Sequence, residues 1–353
     1  MLKRKIIIDT DCGGDDAIAI MTALTDENTQ VIAITAVWGN VDVDQGVQNL
    51  GKLLDLYGRD IPFFKGAAGP LVGTRETVQW GGFGKDGFGD ADFPPSARVD
   101  VQPRTHAALA IIDLLRGAQP AEDEVYQLVC LGPLTNVALA MRIAPEVFSV
   151  LGSESEPAIT IMGGASEAKG NSNLAAEFNI HCDPEAAHIV FHQREMKPIQ
   201  LVTWEVTVDC CMTWHFYDTW VGRRSAQPQN ATQAFVERMF QRLEAFTRPL
   251  EDGTKADTGD AEATQDATCV IPDAVAMVAA LYPDSVLESL LTYSTVELYG
   301  RETRGETCID WYGTDQSMAK RGRWRNCKLV SSIDNCKYLD VMEKIVNYTI
   351  EDI

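Results

Sequence analysis

The sequence predicts an α/β fold: an open, mostly parallel central sheet with helices on both faces. Three observations predict it. Short apolar runs recur along the chain with helical patterns between them. Polar, glycine-containing motifs follow several of those runs, at the strand ends where open α/β sheets gather their ligands. With 353 residues, 45% of them hydrophobic, the chain has enough apolar surface to bury a large core.

Taken in order, the first strand is residues 5 to 9, the run Lys5-Ile6-Ile7-Ile8 that ends in Asp9. A helix follows from Asp15 to Leu24, then a strand over 30–37 and a helix from Asp44 to Tyr57. Residues 66–104, rich in glycine and proline and holding Trp80, Phe83 and Phe88, read as a long active-site loop, since loops of this length are usually functional or disordered. The alternation then resumes with a helix from Thr105 to Gly117, a strand over 126–131, a helix from Leu134 to Ile143 and a strand over 158–163. The next helix, Asp183 to His192, opens with Asp-Pro, an N-cap and first-turn signal. A strand over 199–206, a helix around Phe235 to Phe246, an acidic insertion at 249–268 and a helix opening at Pro272 come next. Strands over 294–299 and 306–311, then a C-terminal strand and helix within 327–353, complete one domain spanning 1–353.

The formal charge of −21 argues against nucleic acid or an anionic membrane as partner, because phosphates are repelled. The nine cysteines are odd in number and Cys210-Cys211 are adjacent, which fits reduced thiols better than a disulfide framework. Three isoleucines after Lys3, Arg4 and Lys5 are too few for a signal peptide or a membrane span. The expectation is a soluble cytoplasmic protein acting on a small molecule.

The chemistry concentrates where the first strand ends, in Asp9-Thr10-Asp11-Cys12-Gly13-Gly14-Asp15-Asp16. Four carboxylates at the carboxyl end of a buried strand repel one another and call for a hard divalent cation. An EF-hand loop counted from Asp9 would need a glutamate at its twelfth position, where Ile20 stands. A phosphatase with Asp9 as nucleophile and Asp11 as acid/base explains those two residues but not the Gly-Gly-Asp-Asp that follows. An acidic helix start favourable to the dipole accounts for the charges alone.

This turn, followed by Ala17-Ile18-Ala19-Ile20, resembles the N-terminal signature of the calcium-dependent nucleoside hydrolases, the inosine-uridine preferring family, with Cys12 where proline is usual. Further family motifs follow in order: Thr35-Ala36-Val37-Trp38-Gly39-Asn40, Phe83-Gly84-Lys85-Asp86-Gly87-Phe88-Gly89, Gly132-Pro133-Leu134-Thr135-Asn136, Met162-Gly163-Gly164, and Asn171 through Ala176-Glu177-Phe178-Asn179 to Asp183-Pro184-Glu185-Ala186-Ala187. The resemblance covers residues 4 to 315 and is strongest to the trypanosomatid purine-specific, inosine-guanosine members. It implies the nucleoside hydrolase fold with a Rossmann-like core, and a homodimer or homotetramer. It also implies hydrolysis of the N-glycosidic bond of purine ribonucleosides in purine salvage. By the same resemblance Asp11, Asp16, Asp273 and the carbonyl of Leu131 hold Ca²⁺, and Asp9 supports its neighbours. Asp11 is the general base toward a calcium-bound water, with Asn40 close to the reacting centre. Asp15, Asn171, Glu177 and Asn179 hold the ribose.

One position departs from the family. Where pyrimidine-accepting members carry a histidine before the late aspartate and a purine-specific group carries tryptophan, this chain has Pro272, which neither donates a proton nor stacks. A purine can be protonated at N7, so the loss argues for purine nucleosides, inosine and guanosine first. Trp80, Phe83 and Trp204 are candidates to flank the base, since stacking contributes on the order of 1 kcal/mol per aromatic pair. His215 is the candidate replacement acid, and Pro272 with Cys12 leaves as the alternative a calcium-dependent nucleoside-binding protein without turnover.

Overall fold

The structure, a computed structural model, describes residues 2–75, 80–101, 103–194, 196–248, 268–313 and 324–348. The first half runs β1 (Lys3–Thr10), α1 (Gly14–Thr25), β2 (Thr29–Ala36), α2 (Val43–Leu56), β3 (Phe63–Lys65), α3 (Ala107–Gly117), β4 (Glu124–Cys130), α4 (Thr135–Ile143) and β5 (Ile159–Met162). Then come α5 (Phe178–Cys182), α6 (Pro184–Phe191), β6 (Ile199–Val202), α7 (Trp204–Asp209), β7 (Met212–Thr213), α8 (Trp214–Trp220) and α9 (Ala231–Thr247). The last are β8 (Thr268–Cys269), α10 (Pro272–Leu281), β9 (Val286–Thr292), β10 (Ser294–Val296), β11 (Thr307–Ile309), β12 (Cys327–Ile333) and α11 (Asn335–Asn347).

Among the described residues eight strands form the central sheet in the order β3-β2-β1-β4-β5-β6-β12-β9, with every neighbouring pair parallel except β12 and β9. The unbroken isoleucine run of β1 follows from burial on both sides. Ile6 and Ile8 enter one core with α1, α2, α10 and α11, and Ile7 enters a second with α3, α4 and α6. The chain leaves β1 outward through β2 to β3, then returns to lay β4 on the other side of β1. The carboxyl ends of β1 and β4 thus flank the point where strand order reverses, and a crevice opens there.

Three expectations are corrected. The strand expected over 199–206 stops at Val202, because Thr203 is the N-cap of α7, which begins at Trp204. The strands expected over 294–299 and 306–311 are the shorter β10 and β11, which pair antiparallel in a separate two-stranded sheet. An apolar run reads alike in a hairpin and in a sheet, so sequence alone did not separate them. At the far edge, β9 went unread because five of its seven residues are exposed and no burial pattern marks it.

The described part of segment 66–104 is built onto α9. Phe88 and Phe93 pack against Phe235, with ring centroids 5.8 and 4.3 Å away, and Gln241 Nε2 donates to the Gly89 carbonyl at 2.8 Å. Residues 76–79 and 102 of that segment, and 249–267 of the acidic insertion, lie outside the described residues. No helix among the described residues is long and apolar enough to cross a membrane, and no disulfide is present among the described residues.

Candidate active site

Where β1 ends the chain turns sharply, with Cys12 at a left-handed φ of 49° and its N–H donating to Thr10 Oγ1 at 3.0 Å. Helix α1 starts at once, so Asp15 and Asp16 fall in its first turn, where the free N–H groups favour negative charge. Helix α10 is buried along its whole length, as its apolar sequence requires, and packs along α1. Its first turn therefore brings Asp273 to Asp15 and Asp16. One oxygen of each of these three carboxylates lies within 4.8 Å of the others.

Asp11 adjoins this group, its carboxyl within hydrogen-bonding reach of Asp16. Asn40 aims it. The Asn40 backbone N–H donates to Asp11 Oδ2 at 2.6 Å and its Nδ2 donates to Oδ1 at 3.2 Å. Gly39 makes the approach possible, since a Cβ there would stand 2.0 Å from Asp11 Oδ2. Asp16 accepts the Thr10 hydroxyl and, at 2.9 Å, the Gly13 N–H.

Burial is the first cause that lifts all four carboxyls above their ordinary range, and mutual repulsion adds to it for Asp11, Asp15 and Asp273. Asp15 is pushed up to about 8, and Asp11 and Asp273 are raised well above the usual carboxylate value. Asp16 is raised as well, against the donors from Thr10 and Gly13. Asp15 Oδ1 is buried with no partner. Clustered, dry carboxylates with an orphaned oxygen and only oxygen donors fit a hard divalent cation, which supplies the missing positive charge.

The other expected site residues line the neighbouring strand ends. Leu131 follows β4, and its carbonyl accepts Asn179 Nδ2 at 2.8 Å, which leaves a second lone pair. Glu177 caps α5: its oxygens accept the N–H groups of Gly164, Asn179 and Ile180 at 2.9, 2.8 and 3.1 Å. Burial nevertheless pushes Glu177 up to about 7. Asn171 is exposed and accepts the Phe178 N–H at 2.8 Å. Asp15, expected at the ribose, sits inside the carboxylate cluster.

An aromatic wall stands beside the cluster. Trp80, 44% exposed, meets Phe83 edge-on at 5.1 Å, and Phe83 in turn contacts Phe240 of α9 at 6.4 Å. Both phenylalanines press on Gly14, where a Cβ would come within 3.0 and 2.9 Å of them. Trp204 is partly buried at the start of α7, and its backbone N–H donates to the Gly164 carbonyl at 2.9 Å. His215 is on the exposed side of α8, and among the described residues its side chain makes no hydrogen bond to the cluster.

The sequence model of the inosine-uridine preferring nucleoside hydrolases matches residues 6–340. The chain belongs to this family. The inosine-uridine preferring nucleoside hydrolase of Leishmania major is 30% identical over 98% of this chain and 99% of its own length. Other curated relatives are matched over little more than half their length: a probable uridine nucleosidase 2 of Arabidopsis thaliana is 39% identical over 54% of this chain and 56% of that protein. A solved structure described as an inosine-guanosine nucleoside hydrolase shares 60% of its sequence, with a TM-score of 0.92 over 99% of this chain and 100% of that one. A purine-preferring ribonucleoside hydrolase from Gardnerella vaginalis is 27% identical, with a TM-score of 0.77 over 97% and 98% of the two chains.

Membership places the chain among the nucleoside hydrolases, glycosidases that cut N-ribosides. Sequence reasoning assigned no role to several residues that build the candidate centre. Thr35 Oγ1 and Asn136 Nδ2 both donate to Asp9 Oδ1, at 2.6 and 2.9 Å, and Thr10 holds Asp16. Phe240 and Phe246 of α9 extend the aromatic wall, the latter 6.4 Å from Trp80. The α9 residues carried a signal, an apolar face at helical spacing, but nothing in it tells a site from a core.

Proposed function

We propose that the chain hydrolyses the N-glycosidic bond of purine ribonucleosides, inosine and guanosine foremost, to free base and ribose in purine salvage. The observation that carries this reading is the buried carboxylate cluster at the strand-order reversal, set against an aromatic wall. Calcium is the cation proposed for Asp11, Asp16, Asp273 and the Leu131 carbonyl, with Asp15 at hand. The purine preference is supported by Pro272 and by the inosine-guanosine description of the solved relative. The enzyme is read as a homo-oligomer on the resemblance alone, and as cytoplasmic on its odd number of cysteines with Cys210-Cys211 adjacent.

Bound there, the cation supplies Lewis acidity that makes neighbouring water more acidic. Asp11, with both oxygens aimed by Asn40, takes the proton from the attacking water. The anionic pocket stabilises the positive charge that develops on the ribosyl ring. Asn171, Glu177 and Asn179 match sugar hydroxyls with donors and acceptors, and a fixed array of this kind rejects a ligand that lacks one. The base leaves along Trp80 and Phe83.

A phosphohydrolase using Asp9 as nucleophile fits less well, because it leaves the clustered carboxylates of Asp15, Asp16 and Asp273 unexplained. The test is Asp11→Asn. Turnover of inosine is expected to fall by a factor on the order of 10² to 10⁴ in a folded protein. Near-normal turnover in the calcium-loaded variant would remove Asp11 as the base.

A further inference from the structure

Asn136 is fully buried in the first turn of α4, and its carboxamide joins four elements. Nδ2 donates to Asp9 Oδ1 at 2.9 Å and to the Ala36 carbonyl at 3.0 Å, while Oδ1 accepts the Ala67 N–H at 2.9 Å. The helix that follows β4 is thereby tied to the ends of β1 and β2 and to the segment after β3. Gly66 permits the contact, since a Cβ there would stand 2.2 Å from Asn136 Oδ1.

What the amide grips is a carboxylate with a job still open. Thr35 Oγ1 donates to the same oxygen of Asp9, so both donors meet Oδ1, and Oδ2 is buried with no partner. The Asp9 carbonyl accepts the Leu131 N–H at 2.8 Å, one residue's span from the carbonyl proposed as a ligand. A buried carboxylate oxygen without a donor is costly unless a positive charge stands near it.

We propose that Asn136 is a positioning residue for the metal centre: it clamps Asp9 through Oδ1 and so fixes it as a further anion behind the cation held by Asp11, Asp16, Asp273 and the Leu131 carbonyl. This rests on the reading of the site given above. The residue is fully buried and acts through Asp9.

Asn136→Asp keeps the shape of the side chain and sets an acceptor against Asp9 where a donor stood. Calorimetric titration of the chelator-treated protein with Ca²⁺ reads the effect without turnover. The expected loss of affinity is roughly 10- to 100-fold, the usual cost of removing a partner of a metal-site anion. Turnover of inosine should recover most of its wild-type value once calcium is raised to saturation, with KM little changed. Thr35→Val removes the other donor to the same oxygen and should show a smaller loss of the same kind. Unchanged calcium affinity in a folded Asn136→Asp, with stability lowered, would overturn the proposal and leave Asn136 a structural tie. If that variant does not fold, unchanged affinity in Thr35→Val overturns it instead. A wild-type protein that binds no Ca²⁺ would strike down the site reading itself, and this proposal with it.

Discussion

One residue, Asn40, holds both oxygens of Asp11, one through its backbone N–H and one through its side chain. Asn40→Ala removes the side-chain donor, which serves Asp11 and, at 3.4 Å, Asp16 Oδ2, but keeps the backbone bond to Asp11, so its loss of kcat should be smaller than that of Asp11→Asn. A larger loss would mean that Asn40 itself meets the reacting atoms. Pro272 is the second residue on which the proposed selectivity turns. It stands at the first position of α10, where no N–H is needed, so histidine is compatible with the helix there. Pro272→His is predicted to raise hydrolysis of uridine relative to inosine, and no gain would show that one missing acid does not explain the selectivity. At this scale the four aspartates of the turn were legible, because unpaired charge at a strand end has few other uses. Thr10, Thr35 and Asn136 stand in the motifs that carry the resemblance, but their roles were not legible, since a neutral residue whose work is to satisfy a neighbour leaves no charge or periodicity to read.

Helices α1 and α10 do together what neither does alone, because their N-termini meet and concentrate three carboxylates. The wall beside them depends on α9 and the segment that holds Trp80 and Phe83. Gly14 is the joint between the two. Gly14→Ala should push Phe83 and Phe240 outward without touching a carboxylate, which raises KM for inosine while calcium affinity holds. Titrations and initial rates on the same preparation check this, and a lost calcium affinity with normal KM would contradict it. The helices and the parallel strands were readable from alternation, but the end of β6 was not. Trp204-Glu205-Val206 has the apolar character of a strand and forms a helix because the chain must turn away from the crevice there.

The whole molecule carries a formal charge of −21 and keeps some of its carboxyls dry, so its stability depends on pH and on the cation together. Folding raises Asp9 to about 7 and Asp15 to about 8, and burial is the main cause in both. A carboxyl with a raised folded-state pKa binds protons that the unfolded chain releases, so its stabilising effect is full at low pH and lost as pH rises through the folded value. Without calcium, the melting temperature should therefore fall between about pH 5 and pH 8. Calcium should flatten that fall, because the cation takes the place of the protons. A melting temperature that rises over this window in the chelated protein would contradict the assignment of the cluster.

The central claim is calcium-dependent hydrolysis of purine ribonucleosides, and release of free base from inosine, guanosine, adenosine, cytidine and uridine, with calcium and after chelation, tests it most directly. The account predicts release from inosine and guanosine, little from the pyrimidines, and loss of both activities on chelation with recovery when calcium returns. Equal cleavage of uridine would contradict the purine preference, activity indifferent to chelation would contradict the metal centre, and release from none of the five would contradict the proposed hydrolysis.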